Sequence, residues 1–304
     1  MSGAGSAEAD AALPSATVVV PTYNRPAQLL ACLATLAALD YPRERYEVVV
    51  VNDGGALPDE ARIAALRERL RLTIVAQPNA GPAAARNWGA AHAGGEVLAF
   101  TDDDCAPESG WLRGLAARLT ASPRAMVGGR TVNALAGDPC AEASQLLIDY
   151  LYAYYNRPGS HGFFCSNNFA VGAPMFREID GFDAGFARAA GEDRDLCDRW
   201  AARGWEMVYA PEAVVRHAHA MTLGDFARQH FAYGRGAYPF RQARARRGQE
   251  PPRVEPLGFY ARLVAYPFAA GAGWRAPRLA ALLAVAQAAN AAGFMYERRR
   301  RSAG

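Results

Sequence analysis

Thr17-Val18-Val19-Val20-Pro21-Thr22-Tyr23-Asn24-Arg25-Pro26 begins as a β-branched run and passes through polar residues to a proline. Apolar side chains at consecutive positions fill both faces of an extended chain, which suits a central strand covered by helices on each side. The pattern recurs at 47–51, 72–76 and 96–101, and helical spacing fills 26–39, 58–70 and 82–93 between the runs. Each helix is expected to start near its proline, whose missing N–H costs nothing in a first turn. This alternation predicts an open α/β sheet with largely parallel strands, and such sheets bind ligands beyond the carboxyl ends of the strands. The polar residues that follow each strand are therefore the ones to read for function.

The second half is mixed. Residues 125–131 and 163–171 read as strands, 138–155 and 192–203 as helices, and 206–210 and 213–217 as two short closing strands. Three parts are expected: a disordered lead-in over 1–14 without the apolar core of a secretory signal, an α/β domain over 15–220, and an Arg-rich helical region over 221–304. The 304 residues are 51% hydrophobic with a formal charge of +3, so composition gives no case for binding nucleic acid. All 33 basic Lys or Arg side chains are Arg, which excludes a P-loop lysine, a Schiff-base lysine and a lysine general base. The five cysteines are scattered with no C-x-x-C pair, so neither a zinc site nor a disulfide framework is indicated, and a cytoplasmic, reducing compartment fits.

Two groups of acids carry the chemistry. In Phe100-Thr101-Asp102-Asp103-Asp104, three carboxyls at the exit of an apolar strand repel one another and lose hydration, so they need a compensating cation. Hard carboxylate oxygens suit Mg²⁺ or Mn²⁺, which bridge to phosphate; a solvated acidic turn or a helix cap competes with that reading. The second group is Gly191-Glu192-Asp193-Arg194-Asp195-Leu196-Cys197, where acids open a predicted helix and capping is the competing role.

Strand one runs into Pro21-Thr22-Tyr23-Asn24-Arg25, strand two into Asn52-Asp53-Gly54-Gly55, strand three into Asn79-Ala80-Gly81-Pro82-Ala83-Ala84-Ala85-Arg86-Asn87, and strand four into the triple aspartate. This ordered set, from Thr17 to His217, resembles the inverting family 2 glycosyltransferases, whose nucleotide-binding half has a GT-A fold. The resemblance implies a mixed α/β sheet and transfer of a sugar from a nucleotide diphosphate donor to a glycan or lipid-linked acceptor hydroxyl, with Mn²⁺ or Mg²⁺ as cofactor. Pro21, Thr22, Tyr23 and Arg25 would line the base and ribose pocket. Asp53 would accept from the nucleobase N–H, and Arg86 would pair with a phosphate or with the strand-four acids. Asp104 would ligate the metal, Asp102 would touch ribose or metal, and Asp103 would complete the donor contacts or turn back into the scaffold. Asp193 would be the catalytic base, with Glu192 as acceptor contact or alternative base. His217, preferred over His219, would approach the metal. Asn167 and Asn168 would hydrogen-bond acceptor hydroxyls, though polar strand residues also commonly satisfy neighbouring backbone.

The absence of a glycine-rich loop after strand one argues against a sugar nucleotidyltransferase or a dinucleotide oxidoreductase. A non-catalytic sensor or membrane scaffold on the same fold is the rival of another class. Apolar segments at 257–274 and 279–295, flanked by arginines, leave three readings open for 225–301: peripheral contact with the inner face of the cell membrane, a soluble hairpin packed on the domain, or a dimer interface.

Overall fold

The computed structural model describes residues 13–157, 162–186, 190–252 and 254–302, so most of the expected lead-in lies outside the described residues. The first half alternates as the apolar runs predict: β1 (Ala16–Thr22), α1 (Pro26–Leu36), β2 (Tyr46–Asn52), α2 (Glu60–Arg67), β3 (Leu72–Ala76), α3 (Pro82–Ala91) and β4 (Val97–Phe100). There follow β5 (Cys105–Pro107), α4 (Trp111–Ala121), β6 (Met126–Asn133), α5 (Pro139–Tyr155), β7 (Phe169–Gly172), α6 (Ala173–Glu178), α7 (Glu192–Ala202) and β8 (Met207–His217). Three helices close the described chain: α8 (Leu223–Arg246), α9 (Leu257–Ala269) and α10 (Ala276–Ser302).

The strands form one mixed sheet in the order β3-β2-β1-β4-β7-β6-β8-β5. β1 is parallel to β2 and β4, and β2 to β3, whereas β7 is antiparallel to β4 and β6. Helices cover both faces, which is why the first run had to be apolar at every position. Val18 and Val20 pack with Leu29 and Leu33 of α1, while Val19 joins Leu98, Phe100, Phe169 and Trp200 on the other side. The parallel arrangement leaves Thr22, Asn52 and Thr101 at one edge, where the site is built.

Three expectations need correction. Pro58 does not open its helix; Asp59 caps α2 by accepting from Arg62 N at 3.0 Å. Residues 163–168 are not strand, because side chains take up their backbone groups. Asn156 bonds both N and O of Phe163, and the Tyr152 hydroxyl accepts from Cys165 N at 2.9 Å. The two closing strands are one, β8, whose register against β6 shifts between Gly129 and Arg130. The short elements β5, α4 and α6 had no counterpart in the sequence pattern.

All three of the last helices reach α5, and α10 packs against both α8 and α9. α10 crosses α8 so closely that a Cβ on Gly234 would collide with the carbonyl of Asn290, and one on Gly293 with that of Phe231. Over Gly273–Ser302 the chain is long and apolar enough to cross a membrane by length and composition, yet Leu279, Leu282, Leu283 and Ala286 are buried within the protein.

Candidate active site

The carboxyl ends of β1, β2 and β4 gather the first group of predicted residues. Thr22 donates its hydroxyl to Asp103 Oδ2 at 2.7 Å, and Arg25 Nη1 reaches Asp103 Oδ1 at 3.2 Å and Asp104 Oδ2 at 2.8 Å. Asp103 is thus buried between β1 and β4, and that burial pushes its pKa up. Pro21 is half-buried and Tyr23 exposed, beside Asn24 at positive φ. The Asn24 carboxamide accepts from Ala56 N at 2.9 Å, and a Cβ on Gly55 would strike the Asn24 backbone, so only glycine fits beneath this turn. Asp53 is buried: Oδ1 accepts from Gln77 Nε2 at 2.7 Å and Ala80 N at 2.9 Å, and Oδ2 from Gly81 N at 2.9 Å. It therefore fixes the loop that enters α3.

Asp104 faces two imidazoles. Pairing of β5 with β8 sets Cys105 opposite His217, and Ala218 N donates to Asp104 O at 3.0 Å. The Nε2 of His217 lies 3.2 Å from Asp104 Oδ1 and the Nδ1 of His219 lies 3.3 Å from Oδ2. One ligand atom from each of the three residues falls within 4.8 Å of the other two. Burial opposes the charge on Asp104, but hydrogen bonds from both histidines and the charge of Arg25 outweigh it and hold the carboxyl well below the usual range. Burial likewise opposes the charge on His217, yet Asp104 raises its pKa. One carboxylate and two imidazoles make a mixed O/N donor set that fits Mn²⁺ better than Mg²⁺, which prefers oxygen alone. His217 is the metal neighbour expected ahead of His219, and the structure brings both to Asp104. Asp102 stands outside this trio.

Asp102 turns instead to Arg86, whose Nη2 lies 2.7 Å from Asp102 Oδ1. The same guanidinium donates from Nη1 to Glu192 Oε1 at 3.2 Å, so the second group of acids converges on the first. Arg86 is buried, and Phe182, whose ring backs its guanidinium, closes it from below. Arg86 Nε and Glu192 Oε2 are buried with no partner among the described residues. Burial and the adjacent Asp193 push Glu192 up to about 7 despite Arg86. Asp193, which accepts from Arg194 N at 2.7 Å, is also raised, chiefly by burial. Glu192 does more than cap a helix, because its Oε1 pairs with Arg86 across the site.

The two asparagines separate. Asn168 is fully buried, accepting from Trp111 Nε1 at 2.8 Å and donating to Ala213 O at 3.2 Å, so its amide is occupied by the scaffold and the acceptor contact expected of it is corrected. Asn167, buried near Thr131, keeps its amide nitrogen without a described partner. Tyr233 of α8 was missed. Its hydroxyl accepts from Gln229 Nε2 at 2.7 Å and its ring meets His230 edge-on, while burial, with Cys165, Asp193 and Glu192 adding to it, raises its phenol pKa. Nothing in its own helical spacing distinguishes it from a packing residue.

Comparison with known proteins agrees with this geometry. The model of Glycosyl transferase family 2 matches residues 17–180, and that of Glycosyl transferase family group 2 matches 99–295. A pre-mycofactocin glycosyltransferase of Mycobacterium tuberculosis is 30% identical over 229 residues, covering 73% of this chain and 47% of that protein. A validoxylamine A glucosyltransferase of Streptomyces hygroscopicus is 28% identical over 232 residues, covering 66% of this chain and 54% of that protein. The chain thus spans about half the length of these curated relatives. In shape it resembles the mannosyltransferase PcManGT from Pyrobaculum calidifontis, solved in complex with GDP-Man and Mn²⁺, with a TM-score of 0.61 at 24% identity over 97% of this chain and 81% of that one. That likeness identifies the sheet and its covering helices as a GT-A fold. With the matched stretch running from β1 through the triple aspartate and beyond β7, the chain belongs to glycosyl transferase family 2.

Proposed function

We propose that this chain transfers a sugar from a nucleotide diphosphate donor to an acceptor hydroxyl, with inversion at the anomeric carbon. The observation that carries the reading is Arg86, which ties Asp102 at the end of β4 to Glu192 at the start of α7. That contact joins the end of β4 to the start of α7, which supports a donor site and a proton acceptor lying side by side. The catalytic unit is 15–220, and 221–304 is its appendage.

Pro21, Thr22, Tyr23, Arg25 and Asp53 would bind the nucleoside, with Asp102 and Asp103 completing the donor contacts. Asp104, His217 and His219 would hold the divalent cation, which when bound supplies positive charge to the departing diphosphate. Arg86 adds a fixed guanidinium beside it, already oriented by Asp102 and Glu192. Asp193 is the base that takes the proton of the acceptor hydroxyl, while Glu192, held by Arg86, stands as the acceptor contact or second base. Asn167 offers its amide to the acceptor. Burial raises both carboxyls, the direction that strengthens a carboxylate as a proton acceptor.

The test is a thermal-shift and nucleotide-release panel of UDP-, GDP- and dTDP-sugars with and without Mn²⁺. One donor should stabilise the protein by about 2.7 kcal/mol at a hundred times its dissociation constant, only with metal, and Asp104→Ala should abolish that shift. Binding without nucleotide release for every donor and acceptor would favour a non-catalytic sensor. Release of pyrophosphate from a nucleoside triphosphate and a sugar phosphate would favour a nucleotidyltransferase.

A further inference from the structure

The final two helices carry an apolar face that no described residue covers. On α9, Leu257, Ala261, Ala265 and Phe268 lie exposed on one side, opposite Phe259 and Leu263, which pack with Tyr150 and Leu283. On α10, Ala281, Ala284, Val285, Ala288, Ala292 and Met295 repeat at helical spacing on the exposed side, opposite Leu279, Leu282 and Ala286. Between the helices Trp274 is 89% exposed, and Leu257 and Phe268 are 87% and 59% exposed. Apolar side chains this open to water, Leu257, Phe268 and Trp274 above all, are unusual on a surface facing only water.

Charge says what this face meets. From 254 to 302 the acids are Glu255 and Glu297, and the bases are Arg262, Arg275, Arg278 and the run Arg298-Arg299-Arg300-Arg301. Both acids are engaged: Glu255 accepts from the hydroxyls of Tyr154 and Tyr155, and buried Glu297 takes Arg235, Arg300 and Arg301. Arg262, Arg278, Arg298 and Arg299 are exposed with no acidic partner among the described residues. Apolar side chains edged by uncompensated guanidinium groups complement a surface that offers phosphate at headgroup level and hydrocarbon just beneath. A second copy of the chain would set these arginines against their equals. A spanning helix would have to pull Leu279, Leu282 and Leu283 out of contacts already made with α5, α8 and α9.

We propose that the α9–α10 hairpin lies in the plane of an anionic lipid surface, with Leu257, Phe268 and Trp274 in the headgroup–acyl boundary and Arg262, Arg278, Arg298 and Arg299 on lipid phosphates. This docking is independent of sugar transfer and needs no donor or metal. The test is cosedimentation of the full chain with vesicles of phosphatidylcholine alone and with phosphatidylglycerol added, alongside a Phe268→Glu/Trp274→Glu double variant. Both positions are exposed, and an unchanged melting temperature establishes that the variant is folded. The parent should partition roughly tenfold more strongly onto the anionic vesicles, and the double variant should lose that gain. Tryptophan emission of the parent should shift to the blue on those vesicles only. Failure to bind either vesicle, equal binding to both, or a variant that binds like the parent would overturn the proposal. So would a stable dimer in light scattering that the double variant dissociates.

Discussion

Two clusters of adjacent carboxyls meet across Arg86, and their surroundings drive them in opposite directions. At the end of β4, Asp104 has Arg25, His217 and His219 against it and is held well below the ordinary carboxylate range. At the start of α7, Glu192 has only a guanidinium shared with Asp102, and burial beside Asp193 pushes it up to about 7. The side-chain chemistry is nearly the same, so the partners make the difference. Cationic neighbours keep one carboxyl charged, as the proposed metal ligand has to be. Burial and like charge raise the other pair, so that Glu192 can take a proton near neutral pH.

The contrast can be broken most forcefully at Asp193. Asp193→Ala should lower kcat by roughly 10²–10⁴-fold, the usual worth of a general base, while the metal-dependent thermal shift by donor persists. Normal turnover by that variant would move the role to Glu192. If the base is one of this raised pair, the acid limb of the rate profile should lie above the ordinary carboxylate range, because activity appears only as the pair loses its proton.

Arg86→Met comes next, and it tests the contact between the clusters. It leaves Glu192 buried without its cation, and loss of one partner of a buried ion pair costs roughly 3–5 kcal/mol. The sign with pH is specific. Glu192 has its pKa raised in the folded state and further raised without Arg86, so the folded form is penalised once the carboxyl must be charged. The destabilisation should therefore be largest above about pH 7 and shrink as pH falls and Glu192 is protonated. Denaturant unfolding of parent and variant across that range checks it, and a pH-independent difference would count against the pairing.

The smallest expected effect sharpens the other side. His217 has a raised pKa because of Asp104, and imidazole must be neutral to bind a metal. Manganese affinity should therefore weaken as pH falls through that raised value, before an ordinary histidine would titrate. His219→Ala should weaken Mn²⁺ binding by roughly tenfold, as loss of a supporting ligand does. Calorimetric titration of Mn²⁺ reads both, and an affinity flat with pH would remove His217 from the ligand set.

Much of the fold was legible because local patterns suffice for it. Consecutive valines in Val18-Val19-Val20 required cover on both faces, and prolines marked the starts of α1 and α3. Residues 163–168 were misread as strand because their backbone partners come from Asn156 and Tyr152, whose positions no period records. Asn168 was misassigned for a related reason. An amide in sequence does not show whether it meets a ligand or, as here, Trp111 and Ala213.

The sequence by itself determined where strands end, and hence which polar residues stand at the binding edge of the sheet, since apolar periodicity is a local property of the chain. Only the tertiary structure decided that His219 joins His217 at Asp104 and that Arg86 joins Asp102 to Glu192. Both depend on chain crossings between residues distant in sequence: the antiparallel pairing of β5 with β8 and the approach of α7 to α3. Environment is set by such crossings, and environment is what separates one carboxyl's task from another's.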